Sequence, residues 1–402
     1  MNIVFIHQDF PAQFKYLAIV LANDPKNKVT FITTESKKQL KGINKIVYNV
    51  DYKPKKEIHP YLEVYEEAIP HGQAVARILE KLKKQGFKPD IIFGFPGFGS
   101  TMFVKNIYPD VPLISYCEWF YNSEGADVGF DGSPVSEDLK AKVRCKNSHL
   151  LIDLYSSDIG IAPTQWQKQQ FPKEFHNKIQ VIHDGIDSET CKPDPEASFL
   201  IKDKNIELTT KDEVITYATR GMEPMRGFPQ FMEAAEKLLK QRPNAHVVIA
   251  GVDKVFYGGQ LTKGTFKQLM LQKLNLDMNR VHFAGNLIFL DYIKLLQISS
   301  AHVYLTYPFV LSWSILEAMS TGCCIIGSNT PPVLEVIKDN YNGLLCDFYN
   351  VNQLVEKINY ALDNKDKMQE IRKNARQLVL DKYDIRKTLG PYINFLNSLI
   401  KK

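Results

Sequence analysis

The stretch Tyr307-Pro308-Phe309-Val310-Leu311-Ser312-Trp313-Ser314-Ile315-Leu316-Glu317-Ala318-Met319-Ser320-Thr321-Gly322 decides how the chain is read. Residues 301–306 ahead of it form a short apolar run of strand character, and a loop carrying Pro308 follows. Ser312 has the chemistry of a helix N-cap, and the apolar segment 313–321 is expected to be helical until Gly322 stops it. A helix that starts straight after a buried strand presents unpaired N–H groups and a positive dipole end, which suits a phosphate. The amides around Val310, Leu311 and Ser312 are the expected donors. Glu317 stands inside this otherwise apolar helix; it either has a dedicated partner, binds a polar ligand or marks a wet edge.

Upstream, Arg220-Gly221-Met222-Glu223-Pro224-Met225-Arg226-Gly227-Phe228 follows the strand-like residues 214–218 and precedes an amphipathic helical pattern over 228–241. The chain has nine arginines against 41 lysines, and two of the nine fall within the seven residues 220–226. Arginine offers a planar, permanently charged fork that matches phosphate oxygens, whereas lysine offers a point charge. Two arginines at one strand-to-helix turn are therefore either diphosphate ligands or the charges of a solvated turn.

Working outward, strands are expected at 2–6, 28–33, 45–50, 90–95, 112–116, 158–162 and 178–182. Helices are expected at 14–21, 71–85, 100–106, 137–151 and 165–171. In the second half, strands are expected at 214–218, 245–250, 280–284, 301–306, 323–327 and 343–346, with helices at 228–241, 263–274, 290–298, 313–321, 351–363 and 366–381. Short β-branched runs alternating with longer helical periods imply parallel sheets covered on both faces. The α/β chain is thus expected to hold two doubly wound Rossmann-like domains, whose strand ends face a central cleft. Residues 1–187 form the first domain and 214–381 the second. The polar stretch 188–213, with Pro193 and Pro195, reads as a linker, and residues 382–402 as a helix able to pack back on the first domain.

Composition agrees. A chain of 402 residues, 44% hydrophobic and 24% charged, is ordinary for a globular protein with sizeable cores. No apolar run is long enough for a membrane span, and the first residues lead directly into a strand without a signal-peptide pattern. Cys117, Cys145, Cys191, Cys323, Cys324 and Cys346 show no zinc-type spacing, and the adjacent pair lies in a buried-looking run. Reduced thiols and a cytoplasmic location are expected. A net charge of +5 permits an anionic partner or peripheral membrane contact without requiring either.

The chain resembles the family-4 retaining glycosyltransferases of the two-Rossmann-domain (GT-B) architecture. The resemblance runs from Ile6-His7-Gln8-Asp9-Phe10-Pro11 through Tyr116-Cys117-Glu118-Trp119-Phe120-Tyr121, Ala162-Pro163-Thr164 and His183-Asp184-Gly185 to the Arg220–Arg226 turn, the Leu316-Glu317 block and Pro331-Pro332-Val333-Leu334-Glu335. In one place it departs from the family: the first of two glutamates spaced eight apart is here Phe309, so donor-sugar choice is not carried over. The resemblance implies that Arg220, Arg226 and the 310–312 amides hold a nucleotide diphosphate and that Glu317 accepts from ribose hydroxyls. It places Asp253, Tyr257, Leu287 and Ile288 near base or ribose. His7, Gln8 and Asp9 would face the transferred sugar or the acceptor, as could Asp127, Asp131 and Phe309.

Glu118, inside an aromatic cluster after a strand, could polarise an acceptor hydroxyl or stabilise an oxocarbenium-like centre; a structural salt bridge is the alternative. Catalysis is assigned to Glu118 and His7. The implied reaction is retaining transfer from a nucleotide-diphosphate sugar, with a UDP-sugar as co-substrate, no cofactor and no metal. The acceptor is open among saccharide, lipid, protein and modified DNA. Two further readings stand beside it: the same chemistry on a hydroxymethylated base of phage DNA, and a non-catalytic sugar-nucleotide-binding partner subunit. Oligomeric state is not indicated.

Overall fold

Residues 3–6 are four apolar positions in a row, the pattern of a strand covered on both faces, and all four side chains are buried in β1 (Asn2–Ile6). The structure, a computed structural model, describes residues 1–35, 37–52 and 57–400. The chain divides into two units, Met1–Gly185 with the C-terminal helix, and Ile186–Asp384.

In the first unit β1 is joined by β2 (Lys28–Thr33), β3 (Ile43–Val47), β4 (Ile91–Gly94), β5 (Leu113–Tyr116), β6 (Ile159–Ala162) and β7 (Ile179–Val181). All pair in parallel, in the order β3-β2-β1-β4-β5-β6-β7. The order grows from β1 to one side and resumes at β4 on the other, so the C-terminal ends of β1 and β4 flank the switch point. Phe5, Phe14, Phe31 and Phe93 pack on one face with Tyr392 and Leu396 of the helix Ile385–Ile400. On the other face Val4, Ile6 and Ile92 meet Val75 and Leu79 of the helix Glu63–Lys84.

The second unit opens with an antiparallel hairpin, β8 (Ser198–Ile201) and β9 (Ile206–Thr209). Its main sheet comprises β10 (Glu213–Gly221), β11 (Ala245–Val252), β12 (Val281–Gly285), β13 (Ala301–Tyr304), β14 (Ile325–Ser328) and β15 (Leu344–Cys346). These run parallel in the order β12-β11-β10-β13-β14-β15, with a second switch point between β10 and β13. Each unit is a doubly wound, Rossmann-like α/β domain. Among the described residues, no helix is long and apolar enough to cross a membrane.

Of the elements that differ from the sequence reading, which include a helix expected at 100–106 that spans only Val104–Ile107, three bear on the architecture. The segment 188–213 is not a featureless linker: Phe199, Ile201 and Leu208 of its hairpin are buried against Val214, Val248 and Leu295. Its strands are only four residues long, too short for periodicity to reveal among the surrounding polar residues. The helix expected at 71–85 starts at Glu63, with Pro70 inside it and Glu63 and Glu66 favouring its N-terminal end. The helix expected at 137–151 is two, Glu137–Lys146 and Ser148–Ser156. Asn147 between them is buried, and its side-chain amide pairs with both the N–H (2.9 Å) and the carbonyl (2.8 Å) of Tyr121. The break thereby fixes the loop that follows β5.

Asp153, on the helix Ser148–Ser156, is fully buried, and its carboxyl oxygens make no hydrogen bond of full geometry among the described residues, the Thr101 hydroxyl being a polar neighbour that only partly offsets the burial. Burial pushes its carboxyl up to about 7. An unfolded aspartate titrates near 4, so the folded state keeps a proton on Asp153 over a window in which the unfolded chain has lost it. The resulting stabilisation is fully present below that lower value and disappears as pH rises through about 7. Asp153→Asn keeps the shape and removes the titration. Its melting temperature relative to wild type should therefore climb between pH 5 and pH 8.5, a tenfold difference in proton affinity being worth about 1.4 kcal/mol. A difference that stays flat across that range would show that the carboxyl ionises normally.

Candidate functional site

At the β10–β13 switch point the chain leaves β10 through Arg220 and Gly221 and turns at Pro224–Arg226. It enters the helix Phe228–Gln241 through Gly227, which has φ +70°. A Cβ at Gly227 would stand 2.4 Å from Cβ of Leu305, so glycine is required both by the backbone and by the approach of the two loops. Arg226 bridges the same gap: its Nη1 donates to Thr306 Oγ1 (2.7 Å) and to the carbonyl of Val310 (3.3 Å). Its guanidinium lies 5.7 Å from the ring centroid of Tyr257 and 5.9 Å from that of Phe309, and Arg220 lies 4.3 Å from the ring centroid of Phe256.

These groups edge a cavity of about 280 Å³ lined by Tyr217, Thr219, Arg220, Arg226, Gly251, Tyr257, Asn286, Leu287, Tyr292, Tyr304, Ser312 and Ser314, among others. Ser312 caps the helix Trp313–Thr321, its Oγ accepting from the amide of Ser314 (3.3 Å), and Gly322 ends that helix with φ +85°. The amide of Ser312 donates to the Tyr304 hydroxyl (3.0 Å), so it is already engaged. The amides of Val310 and Leu311 have no acceptor among the described residues. Burial raises the Tyr304 phenol, against the opposing pull of Arg226. The Tyr292 phenol is raised by burial and then by the Glu317 carboxylate beside it. Tyr292 thus ties Glu317, which does not itself line the cavity, to the cavity wall.

The remaining second-unit candidates stand apart from this cavity. Asp253 accepts from Thr265 Oγ1 (3.1 Å) and lines a separate pocket with Met222 and Gln260. Ile288 is exposed as the residue preceding the helix Phe289–Gln297, and it is its neighbour Leu287 that reaches the cavity. Phe309 is buried, with its ring 5.3 Å from that of Tyr257.

In the first unit the β1–β4 switch point gathers a second group. His7 follows β1 and is 3% exposed, with its ring 4.5 Å from that of Phe95 after β4. Its Nδ1 accepts from the Asp9 amide (2.8 Å), which puts the proton of the neutral ring on Nε2. That Nε2 is buried and meets no partner at full hydrogen-bond geometry among the described residues, although the Gln13 side chain sits beside the ring. Burial lowers the imidazole to about 4, so it is neutral at pH 7. Gln13 donates to Glu118 Oε1 (2.8 Å), and Gln167 donates to the Glu118 carbonyl (2.8 Å), which holds the backbone of that loop. Gln8 is committed to the ring of His71 (3.0 Å), while the Asp9 side chain is exposed. Asp127 is raised by burial, and one of its oxygens has no partner among the described residues. Asp131 accepts from the Ser133 amide (2.9 Å), the bond of a loop cap.

Tyr292, Tyr304, Asn286 and Glu223 escaped the sequence reading. A tyrosine inside a buried strand, such as Tyr304, must find a partner for its hydroxyl, and that was the available signal. Glu223 lay within the quoted turn but carried no distinguishing spacing. Among the described residues, no cluster of three or more histidine, cysteine or acidic side chains could hold a metal ion.

Two parallel α/β units, one with a cation-edged cavity at its switch point, define a nucleotide-binding architecture. Residues 25–191 match the model of the glycosyl transferase family 4 group, and residues 200–378 that of the glycosyl transferases group 1. The chain belongs to these family-4-like, two-domain glycosyltransferases. An uncharacterized glycosyltransferase of Methanocaldococcus jannaschii is 23% identical over 247 residues, 61% of this chain and 59% of that protein. The chain thus spans less than two thirds of that relative. Anabaena HepE, solved in complex with UDP, matches with a TM-score of 0.71 at 17% identity, covering 99% of this chain and 100% of its own; it has also been solved with UDP-glucose. Sucrose-phosphate synthase from Thermosynechococcus elongatus matches with a TM-score of 0.75 at 15% identity, covering 100% of this chain and 99% of its own. At these identities the likeness is one of fold.

Gly227→Ala should destabilise the second unit by roughly 2–6 kcal/mol, the sum of a left-handed alanine and an overpacked contact with Leu305. Denaturant unfolding measures this. A change under about 0.5 kcal/mol, the range of an ordinary surface substitution, would mean that the turn relaxes freely and that close approach is no constraint.

Proposed function

We propose that the protein is a cytoplasmic retaining glycosyltransferase that moves a sugar from a UDP-sugar to an acceptor hydroxyl without a metal ion. The observation that carries this reading is the pair Arg220 and Arg226 on one cavity at the β10–β13 switch point. Two permanently charged forks neutralise a diphosphate as it leaves, which is the charge that develops in the transition state. The unengaged amides of Val310 and Leu311 add donors at the start of the following helix. Glu317 is assigned to the ribose hydroxyls and the backbone near Leu287 to the base. The UDP and UDP-glucose bound by HepE support uridine as that base. Six cysteines, none in a disulfide, favour the reducing cytoplasm.

In the reaction, the bond between the anomeric carbon and the diphosphate oxygen breaks. The acceptor oxygen bonds to that carbon on the same face, and its proton passes to the departing phosphate. Glu118 and His7 serve the reacting sugar and acceptor. The buried Nε2–H of His7 is a neutral donor suited to a sugar hydroxyl. The Glu118 carboxylate stabilises positive charge at the anomeric carbon or polarises the acceptor hydroxyl. The acceptor is a hydroxyl of a saccharide, lipid or protein.

Arg220→Ala and Arg226→Ala should each weaken UDP binding by about 1.5–3 kcal/mol, the worth of a charge-assisted hydrogen bond. Calorimetry that finds both affinities unchanged would remove the turn from the phosphate site. Glu118→Gln should leave UDP affinity unaltered and slow sugar transfer by at least about tenfold, a barrier increase of about 1.4 kcal/mol. Normal turnover in that variant, with a lowered melting temperature, would assign Glu118 to structure alone.

A further inference from the structure

Glu223 is 1% exposed, within a turn whose neighbouring side chains reach the cavity. Its Oε2 accepts two consecutive backbone amides, those of Phe256 (2.5 Å) and Tyr257 (3.0 Å). Its Oε1 is buried without a partner among the described residues. Those two amides belong to the two residues whose rings lie against the paired arginines: Phe256 against Arg220 at 4.3 Å, and Tyr257 against Arg226 at 5.7 Å. One oxygen therefore sets the place of both rings.

Two glycines make room for the same arrangement. A Cβ on Gly221 would stand 2.5 Å from the carbonyl of Lys254 and 2.7 Å from the ring of Phe256. A Cβ on Gly258 would press against Met225 at 3.3 Å, and Gly258 has φ +89°. The loop after β11 is thus drawn down onto the turn after β10 at three successive points. Phe256 is 39% exposed, so packing alone covers its ring only in part. The hydrogen bonds to Glu223 add a directional anchor to that partial packing.

The geometry points to Glu223 as a positioning residue: it pins the loop carrying Phe256 and Tyr257 and so orients the two guanidiniums toward a diphosphate. This rests on the donor-binding reading above. Electrostatics adds a consequence. A carboxylate near two guanidiniums offsets part of the field they present to an anion. What the phosphate site needs from Glu223 is therefore its acceptor oxygen, not its charge. Glutamine retains one carbonyl oxygen able to accept both amides, whereas alanine retains none.

The test uses the full chain with Glu223→Ala and Glu223→Gln, probed by UDP and uridine titrations and by limited trypsin digestion without nucleotide. Lys254 is an exposed trypsin site within the loop. The alanine variant should lose UDP affinity by roughly tenfold or more, keep its affinity for uridine, and be cut after Lys254 several times faster than wild type. The glutamine variant should bind UDP at least as tightly as wild type and resist cleavage equally. A folded alanine variant with wild-type UDP affinity and wild-type cleavage overturns the proposal. Equal losses for UDP and uridine, or a glutamine variant as impaired as alanine, do so too. If wild type itself binds no UDP while the alanine variant is still cut faster, the loop is pinned as described. The donor-binding reading then fails, and with it the orienting role.

Discussion

The hydrogen bonds from Arg226 to Thr306 and Val310 are the tie on which the second unit's cavity depends. Parallel strands that diverge at a switch point leave a crevice, but a crevice alone has mobile walls. Here one guanidinium spans the loops after β10 and β13 while Gly227 lets those loops touch at Leu305. The charge that a diphosphate would meet is therefore also a structural strut. Its cost in side-chain entropy is already met before any ligand arrives, which is the condition for preorganised electrostatics. The Tyr217 hydroxyl adds to this by donating to the Arg226 carbonyl from beneath (2.8 Å).

The first unit solves its corresponding problem with a different chemistry. At the β1–β4 switch point the wall is aromatic, and the polar group within it is the neutral imidazole of His7. A buried ring that gives Nδ1 to a backbone amide has no freedom of tautomer, so Nε2 presents a proton in one direction. Glu118 is held from two sides, its carboxylate by Gln13 and its backbone by Gln167, while Asn147 clamps Tyr121 three residues on. Fixing a short aromatic loop by side-chain amides rather than by secondary structure leaves its glutamate partly exposed.

How far the fold was legible follows from what each element advertises. Strands such as β1 and β2 and helices such as Trp313–Thr321 and Val351–Asp363 are continuous or strongly periodic, and their limits could be read to the residue. The β8–β9 hairpin could not, because four-residue strands in a polar segment carry too few apolar positions for a period. The cavity was legible where charge type was unusual for the chain, as with the paired arginines, and where a cap followed a strand, as with Ser312. It was illegible where a residue acts through a backbone group. Tyr304 engages the Ser312 amide and Glu223 the 256–257 amides, and no sequence spacing marks a side chain that bonds to a distant main chain.

Phe309 shows how one residue redistributes this electrostatics. Its ring stands 5.9 Å from the Arg226 guanidinium and 5.3 Å from the Tyr257 ring, and it is buried. A carboxylate in that place, as the resemblance would have it, would need a partner once buried, and the nearby guanidinium would serve. Arg226 would then divide its charge between that carboxylate and any phosphate. An aromatic ring makes no such claim: its quadrupole attracts the cation weakly while leaving its N–H groups available. Together with Tyr257 it also strips water from around the charge, and a desolvated cation attracts an anion more strongly than a hydrated one. The exchange of glutamate for phenylalanine thus leaves this buried position beside Arg226 without a hydrogen-bonding side chain. It also leaves Arg226 a less compensated charge, so under the proposed reading the donor would be held here more by its diphosphate than by its sugar.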